Sequence, residues 1–391
     1  MTDTGLESAQ SHVTTIHHPV SLRRAVCGTL IASLILLRPP IGVTQTSAPA
    51  SIVSQQYAEA RARARQTASA VLARGIPGLA VAVAVDGRVV YAEGFGYADL
   101  EQRVPAWPST KFRIGSISKP LTAVALMQLV EQRKVDLDAP VQKYVPSFPG
   151  KGATITPRLL AGHLAGIRHY QGDEFLSATH YDSVLDGLKI FANDPLVAPP
   201  GTKWSYSTYG FNLLSAVIES ASGEPFLDYM QRHVFDALGL AHTTADQNRP
   251  LIAERARFYA RQKDGPFENA PYVDNSYKWA GGGFLSTPED LVRFGSALLR
   301  PGFLTTDSLK LLFTSQKTTD GKETGYGMGW SIHRSQSGQR IYEHSGGSVG
   351  GTCQLIVYPD SHVVVALLTN LGEAVWKIAD VEAIGEPFAG K

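Results

Sequence analysis

The sequence predicts an α+β fold: a mixed, mainly antiparallel sheet built from strands at both ends of the chain and flanked by helices, with a helix-rich middle. Three observations carry this. Short apolar or alternating runs rich in β-formers occupy residues 79–85 and 88–92, and again 328–333, 340–343, 352–358 and 363–369. Between these groups stand long stretches of helical periodicity, so the terminal strands complete a sheet by pairing with one another. The 391-residue chain is 43% hydrophobic, which suits one large globular core.

In chain order, residues 1–50 stand apart. Arg23 and Arg24 precede an apolar run, residues 25–37, that is closed by Arg38, Pro39 and Pro40. The run is short for a bilayer span. With Ala48-Pro49-Ala50 as a small-x-small cleavage site, it reads as a signal peptide or a retained N-terminal anchor plus linker. The expected location is therefore exported, periplasmic or extracellular, with membrane attachment if the segment is kept. Cys27 falls in this segment and leaves Cys353 alone, so no intramolecular disulfide is expected and Cys353 reads as a small buried hydrophobe.

The domain proper covers residues 51–391. Residues 57–74, rich in Ala and Arg, form an amphipathic surface helix in this reading. Asp86-Gly87 joins the first two strands as a hairpin. Residues 112–134, FRIGSISKPLTAVALMQLVEQRK, are a loop opening a buried helix. Gly115, Ser116 and Ser118 offer turn and N-cap chemistry, Pro120 suits a first helical turn, and the apolar residues that follow cover most of the circumference. Residues 137–285 are the inserted helix-rich subdomain, with helices near 159–166 and 210–220 and a sharp loop at Pro199-Pro200-Gly201. A helix over 288–300, capped by Ser286 or Thr287, leads to the C-terminal strands. A last helix near 373–384 covers the sheet.

Chemistry concentrates in three places. Lys119 puts an ammonium at the start of a buried helix, three residues after Ser116, so the two side chains share one face. The Ser116 hydroxyl then stands at the positive end of the helix dipole, where developing negative charge is favoured, and Ser-x-x-Lys is a pattern of acyl-transfer enzymes. Tyr206 follows the rigid 199–201 loop and precedes a helix, as a proton shuttle would; beside an ammonium its phenol is expected to ionise more readily than in water. Residues 342–348, Tyr-Glu-His-Ser-Gly-Gly-Ser, run off a strand into glycines whose backbone N–H could join that of Ser116 around an oxyanion. Each residue alone also has a plainer reading: a snorkelling Lys119, a buried aromatic at Tyr206, a structural histidine at His344.

Together, Ser116-Ile117-Ser118-Lys119, Tyr206-Ser207-Thr208 and His344-Ser345-Gly346 resemble the three motifs of the class C β-lactamase and penicillin-binding-protein superfamily. Residues 159–170, LLAGHLAGIRHY, 279–294, WAGGGFLSTPEDLVRF, and 326–330, YGMGW, are also similar to that family, and most of all to the serine β-lactamase-like proteins first known from mitochondria. The resemblance spans residues 57–371. It implies Ser116 as acylated nucleophile, Lys119 as its proton acceptor, Tyr206 as shuttle, the N–H groups of Ser116 and Gly347 as oxyanion hole, and His344, Ser345 and Thr208 at the substrate. Thr208 stands where asparagine often closes the tyrosine motif, and His344 replaces a permanent cation by a group largely neutral at pH 7. Both departures weaken the case for β-lactam hydrolysis and leave peptidase, esterase or amidase chemistry on a small-molecule or peptide substrate.

Other readings compete. Residues 346–350, Gly-Gly-Ser-Val-Gly, match the nucleophile elbow of α/β-hydrolases, but a strand follows where that motif requires a helix. His163, His169 and His180 lack the spacing of a zinc helix, so no metal or other cofactor is expected, and His163 reads as a buried residue shaping its loop. The balance of 36 basic and 35 acidic residues, net charge +1, gives no basic stripe for nucleic acid. A non-catalytic ligand-binding or scaffold protein on the same fold is the remaining alternative; the presence of Ser116, Lys119 and Tyr206 together favours catalysis.

Overall fold

A computed structural model describes residues 56–262 and 265–389. The N-terminal segment with its signal or anchor reading lies outside the described residues. Helix α1 (Ala58–Leu72) leads into strands β1 (Gly78–Val85), β2 (Arg88–Asp99) and β3 (Val104–Pro105). Helix α2 (Ser118–Glu131) opens the helical middle, which includes α3 (Pro157–Ala161) and α4 (Thr208–Ser222). Helix α5 (Pro288–Ala297), strands β4 (Ser331–Arg334), β5 (Arg340–Ser348), β6 (Gly351–Tyr358) and β7 (Val363–Thr369), and helix α6 (Ile378–Gly385) complete the elements used below.

The seven strands form one antiparallel sheet in the order β3-β2-β1-β7-β6-β5-β4. Strands β1 and β7, far apart in sequence, meet at its centre, where Leu79 pairs with Thr369 and Val85 with Val363. Both strands are buried on two faces, which is why they read as continuous apolar runs. Alternate side chains face opposite sides of a strand. Leu79, Val81, Val83, Val365 and Leu367 pack under α1 and α6, whereas Ala80, Ala82, Ala84, Val364 and Ala366 face the larger core beneath α5 and α2. Small residues on that second face let α5 lie close: a Cβ on Gly295 would stand 2.7 Å from Val364.

The Asp86-Gly87 turn has both residues at positive φ, +49° and +78°, as a two-residue hairpin of primed type requires. Two expectations are corrected. The helix near 159–166 ends at Ala161, because His163 turns to φ +59° and directs its carbonyl to the Ser205 N–H, 2.8 Å away. Residues 344–348 do not leave the sheet: β5 continues through both glycines, with Gly346 opposite Cys353 and Gly347 opposite Thr352. Strand β4 covers β5 only as far as Glu343, so among the described residues no strand lies beside the far edge of residues 344–348. Among the described residues no helix is long and apolar enough to cross a membrane.

Candidate active site

Ser116 lies in a 3₁₀ turn, Gly115–Ile117, that runs directly into α2. No side chain caps this helix start, so the serine hydroxyl is not consumed as a cap, contrary to the turn chemistry read from the sequence. Gly115 makes the turn possible in two ways. Its φ is +50°, and a Cβ there would stand 2.5 Å from the Gly347 carbonyl oxygen. At Gly346 a Cβ would fall 1.9 Å from the Ile114 oxygen. Two glycines thus press the Ser116 turn against the free-edged stretch of β5, and Ser116 and Gly347 line one cavity of 440 Å³.

Two polar groups converge on the hydroxyl. Lys119 Nζ is 3.0 Å from Ser116 Oγ, and the Tyr206 hydroxyl donates to the same Oγ at 2.7 Å. Lys119 Nζ also reaches Thr208 Oγ1 at 3.1 Å and the Gly281 carbonyl at 2.7 Å. The lysine is fully buried, and burial, with the Lys278 charge adding to it, holds its pKa well below the ordinary lysine range. An amine drained of charge has a lone pair free to take a hydroxyl proton.

Tyr206 behaves contrary to expectation. Burial pushes its pKa up, above the ordinary phenol range, and its hydrogen bonding with Ser116 and Thr208 only partly offsets this. The physical reason is that Lys119, itself depleted of charge, offers no fixed cation to stabilise a phenolate. Tyr206 therefore holds its proton and donates it.

Two histidines set the Tyr206 loop. His163 Nδ1 accepts from the Ser207 N–H at 3.2 Å, and its ring contacts those of Trp204, Tyr206, Phe211 and Tyr326. His169 Nδ1 accepts from the Thr208 N–H at 3.1 Å. Ser207 caps α4 by accepting from Gly210 N–H and donates to the Arg168 carbonyl at 2.7 Å. Burial keeps both histidines neutral, with His169 lowered to about 4.

His344 is placed differently from its reading as a substrate-lining group. It is buried, with Nε2 2.9 Å from the Tyr326 hydroxyl and Nδ1 2.6 Å from the Ser345 carbonyl. These contacts fit a neutral ring that donates through Nδ1 and accepts at Nε2, and burial with the nearby Lys119 lowers its pKa to about 4. Ser345 is exposed on the free edge of β5, and neither residue lines the 440 Å³ cavity. Thr208 and Gly347 do line it. So do His169 and Tyr170, from the 159–170 stretch, and Phe175, Lys278 and Glu373, which the sequence did not single out. Lys278 carried one signal, a lysine embedded between aromatics beside the Trp279 motif. Among the described residues no group of three or more His, Cys, Asp or Glu is arranged to hold a metal ion.

Residues 58–380 match the β-lactamase family model. The chain belongs to the β-lactamase family. It is 36% identical to the human serine β-lactamase-like protein LACTB, mitochondrial, over 80% of this chain and 74% of that protein. It is 29% identical to penicillin-binding protein 4* of Bacillus subtilis, over 79% of this chain and 72% of the relative. Among solved structures it resembles a D-stereospecific amidohydrolase from Streptomyces sp., with a TM-score of 0.70 and 25% identity, covering 83% of this chain and 98% of the other. The chain is a serine hydrolase of β-lactamase fold. The expectation of an exported, periplasmic or extracellular protein is overturned: the human, mouse and bovine relatives at 36% identity are all named as mitochondrial. A short apolar run between arginines, residues 25–37, does not by itself distinguish an export signal from other N-terminal segments.

Proposed function

We propose that the chain hydrolyses small peptide, ester or amide substrates through an acyl-enzyme on Ser116. The observation that carries this reading is the Ser116 hydroxyl held between a charge-depleted lysine at 3.0 Å and a protonated phenol at 2.7 Å. In the acylation step Lys119 Nζ takes the hydroxyl proton as Oγ attacks the substrate carbonyl. The oxyanion so formed sits at the backbone N–H groups of Ser116 and Gly347. Tyr206 gives its proton to the leaving group and recovers one from Lys119. In deacylation the relay runs backwards, taking a proton from the attacking water.

Two features turn the reading away from β-lactams. His344 supplies no positive charge at neutral pH, and Thr208 spends its oxygen on Lys119. The test compares turnover of an activated ester, an amino-acid amide and a penicillin by the wild type and by Ser116→Ala. The expected result is ester or amide turnover that Ser116→Ala abolishes. Wild-type rates in that variant overturn the assignment.

A further inference from the structure

Tyr206 is followed by three residues that each hang from one segment of the chain, residues 168–174. Ser207 Oγ donates to the Arg168 carbonyl at 2.7 Å, the Thr208 N–H donates to His169 Nδ1 at 3.1 Å, and the Tyr209 hydroxyl donates to Glu174 Oε2 at 2.8 Å. That segment has little regular structure of its own, only the start of a 3₁₀ turn at Gly172–Leu176. What fixes it is the Arg168 guanidinium, 7% exposed. Its Nη1 donates to Glu174 Oε2 at 2.7 Å and to the His169 carbonyl at 3.0 Å. Its Nη2 donates to Glu174 Oε1 at 2.8 Å and to the Ile190 carbonyl at 3.1 Å, and its Nε to Asp194. All five N–H groups of the fork are thus used, two of them on one carboxylate in a bidentate arrangement that an ammonium cannot reproduce. Glu174 is gripped in turn: Oε2 also accepts from the Gln171 N–H at 2.8 Å, and its carbonyl accepts from the Tyr277 hydroxyl at 2.7 Å.

We infer that Arg168, clasped to Glu174, is a positioning residue for the proton relay: it fixes the start of α4 and so holds the Tyr206 hydroxyl on Ser116 Oγ. This rests on the proposed reading of Tyr206 as proton donor and adds what aims it. Neither Arg168 nor Glu174 lines the 440 Å³ cavity, so neither meets substrate there. Nor does the guanidinium act through its charge, which the Glu174 and Asp194 carboxylates at the fork offset. Its contribution is geometric. The 2.7 Å contact between Tyr206 and Ser116 leaves little slack, and displacing a reacting group by about 1 Å costs about a hundredfold in rate. The loss falls on the step that needs the Tyr206 proton. An alkoxide or amine must be protonated as it leaves, whereas 4-nitrophenolate departs without that help.

The test compares 4-nitrophenyl butanoate with ethyl butanoate, which deliver the same acyl group to Ser116, in the wild type, Arg168→Lys and Glu174→Gln. Arg168→Lys keeps the charge and removes the fork. Its kcat/KM on the ethyl ester should fall about tenfold or more beyond any loss on the nitrophenyl ester. Glu174→Gln keeps the side-chain volume and removes one acceptor of the fork; it should show the same pattern in weaker form, and it carries the test if Arg168→Lys does not fold. Equal losses on the two esters, as a general loosening of the fold would give, overturn the inference, and so does wild-type behaviour on both. Tyr206→Phe separates the inference from the reading beneath it. If that variant loses the ethyl ester selectively and the clasp variants do not, the inference fails and the relay stands. If Tyr206→Phe spares the ethyl ester, the relay reading fails, and a crystal structure of Glu174→Gln decides the clasp. The expected result there is a Tyr206 hydroxyl beyond hydrogen-bond distance of Ser116 Oγ, and an unchanged 2.7 Å contact overturns the inference.

Discussion

Replacing Lys119 by methionine removes the amine while keeping the length of the side chain. The structure separates the two consequences. For activity, Ser116 loses the group 3.0 Å from its Oγ that can take its proton, while Tyr206 at 2.7 Å remains only a donor. Loss of a positioned general base costs about 10²–10⁴-fold in rate, or about 3–5 kcal/mol of barrier. For stability, the Gly281 carbonyl loses its donor, a penalty of about 1–3 kcal/mol, and removal of a fully buried amine offsets part of it. The variant should therefore melt within several degrees of wild type, at about 2–4 °C per kcal/mol in a large domain, yet turn over an activated ester at least about 100-fold more slowly. The Ser116→Ala/Lys119→Met double variant should be no slower than either single one, since groups that act as a unit are not additive. The wild-type pH profile supplies a further check. The amine must be uncharged to accept a proton, so kcat/KM rises with pH as Lys119 deprotonates, and the midpoint lies below the ordinary lysine value of about 10.4. A Lys119→Met rate within tenfold of wild type, or a rise centred in the ordinary lysine range, would refute the reasoning.

Other predictions follow from the packing and the buried histidines. Gly346→Ala puts a methyl 1.9 Å from the Ile114 oxygen, a rigid backbone atom, so it should cost about 1–3 kcal/mol or more in chemical denaturation and lower activity as the Ser116 turn shifts. Gly150→Ala, with no atom within 4 Å of the new methyl, should stay within about 0.5 kcal/mol; equal effects at the two positions would contradict the close contact between turn and strand. Acid should destabilise the fold between pH about 6.5 and 4. The folded pKa of His344, about 4, lies below that of a free histidine, so the unfolded chain binds more protons and stability falls as pH falls through this window, by up to about 3 kcal/mol. His163 contributes with the same sign. Urea titrations at pH 7.5 and 4.5 measure the difference, which His344→Gln should shrink, and a stability that is flat across the window would contradict the neutral buried ring.

The architecture was largely legible because its decisive pattern is local. Residues 79–85 and 363–369 read as strands from their unbroken apolar character, and Asp86-Gly87 fixed the hairpin through a backbone requirement that few other residues meet. The stretch 344–348 was read as leaving the sheet because glycine argues against a strand; what it could not disclose is that the Ile114 backbone presses on the sheet at Gly346 and excludes a side chain at that position. Helix α3 was expected to run on to Gly166, whereas the left-handed His163 ends it in order to anchor Ser205, a partner 42 positions away in the chain. Spacing alone brought Ser116 and Lys119 together, and the place of Tyr206 between a rigid loop and a helix marked it before the resemblance did. The direction in which Tyr206 titrates depended on how deeply both it and Lys119 are buried, which no spacing records. Lys278 escaped notice because a single lysine between aromatics reads as a surface residue until the rings close around it.

The most direct measurement is the intact mass of the purified protein seconds after mixing with an activated ester, for the wild type and for Ser116→Ala. The account predicts a transient mass increase equal to one acyl group on the wild type, mapped by peptide digestion to Ser116 and absent from the variant. Turnover in the wild type with an adduct on another residue, or an undiminished rate in Ser116→Ala, would contradict it.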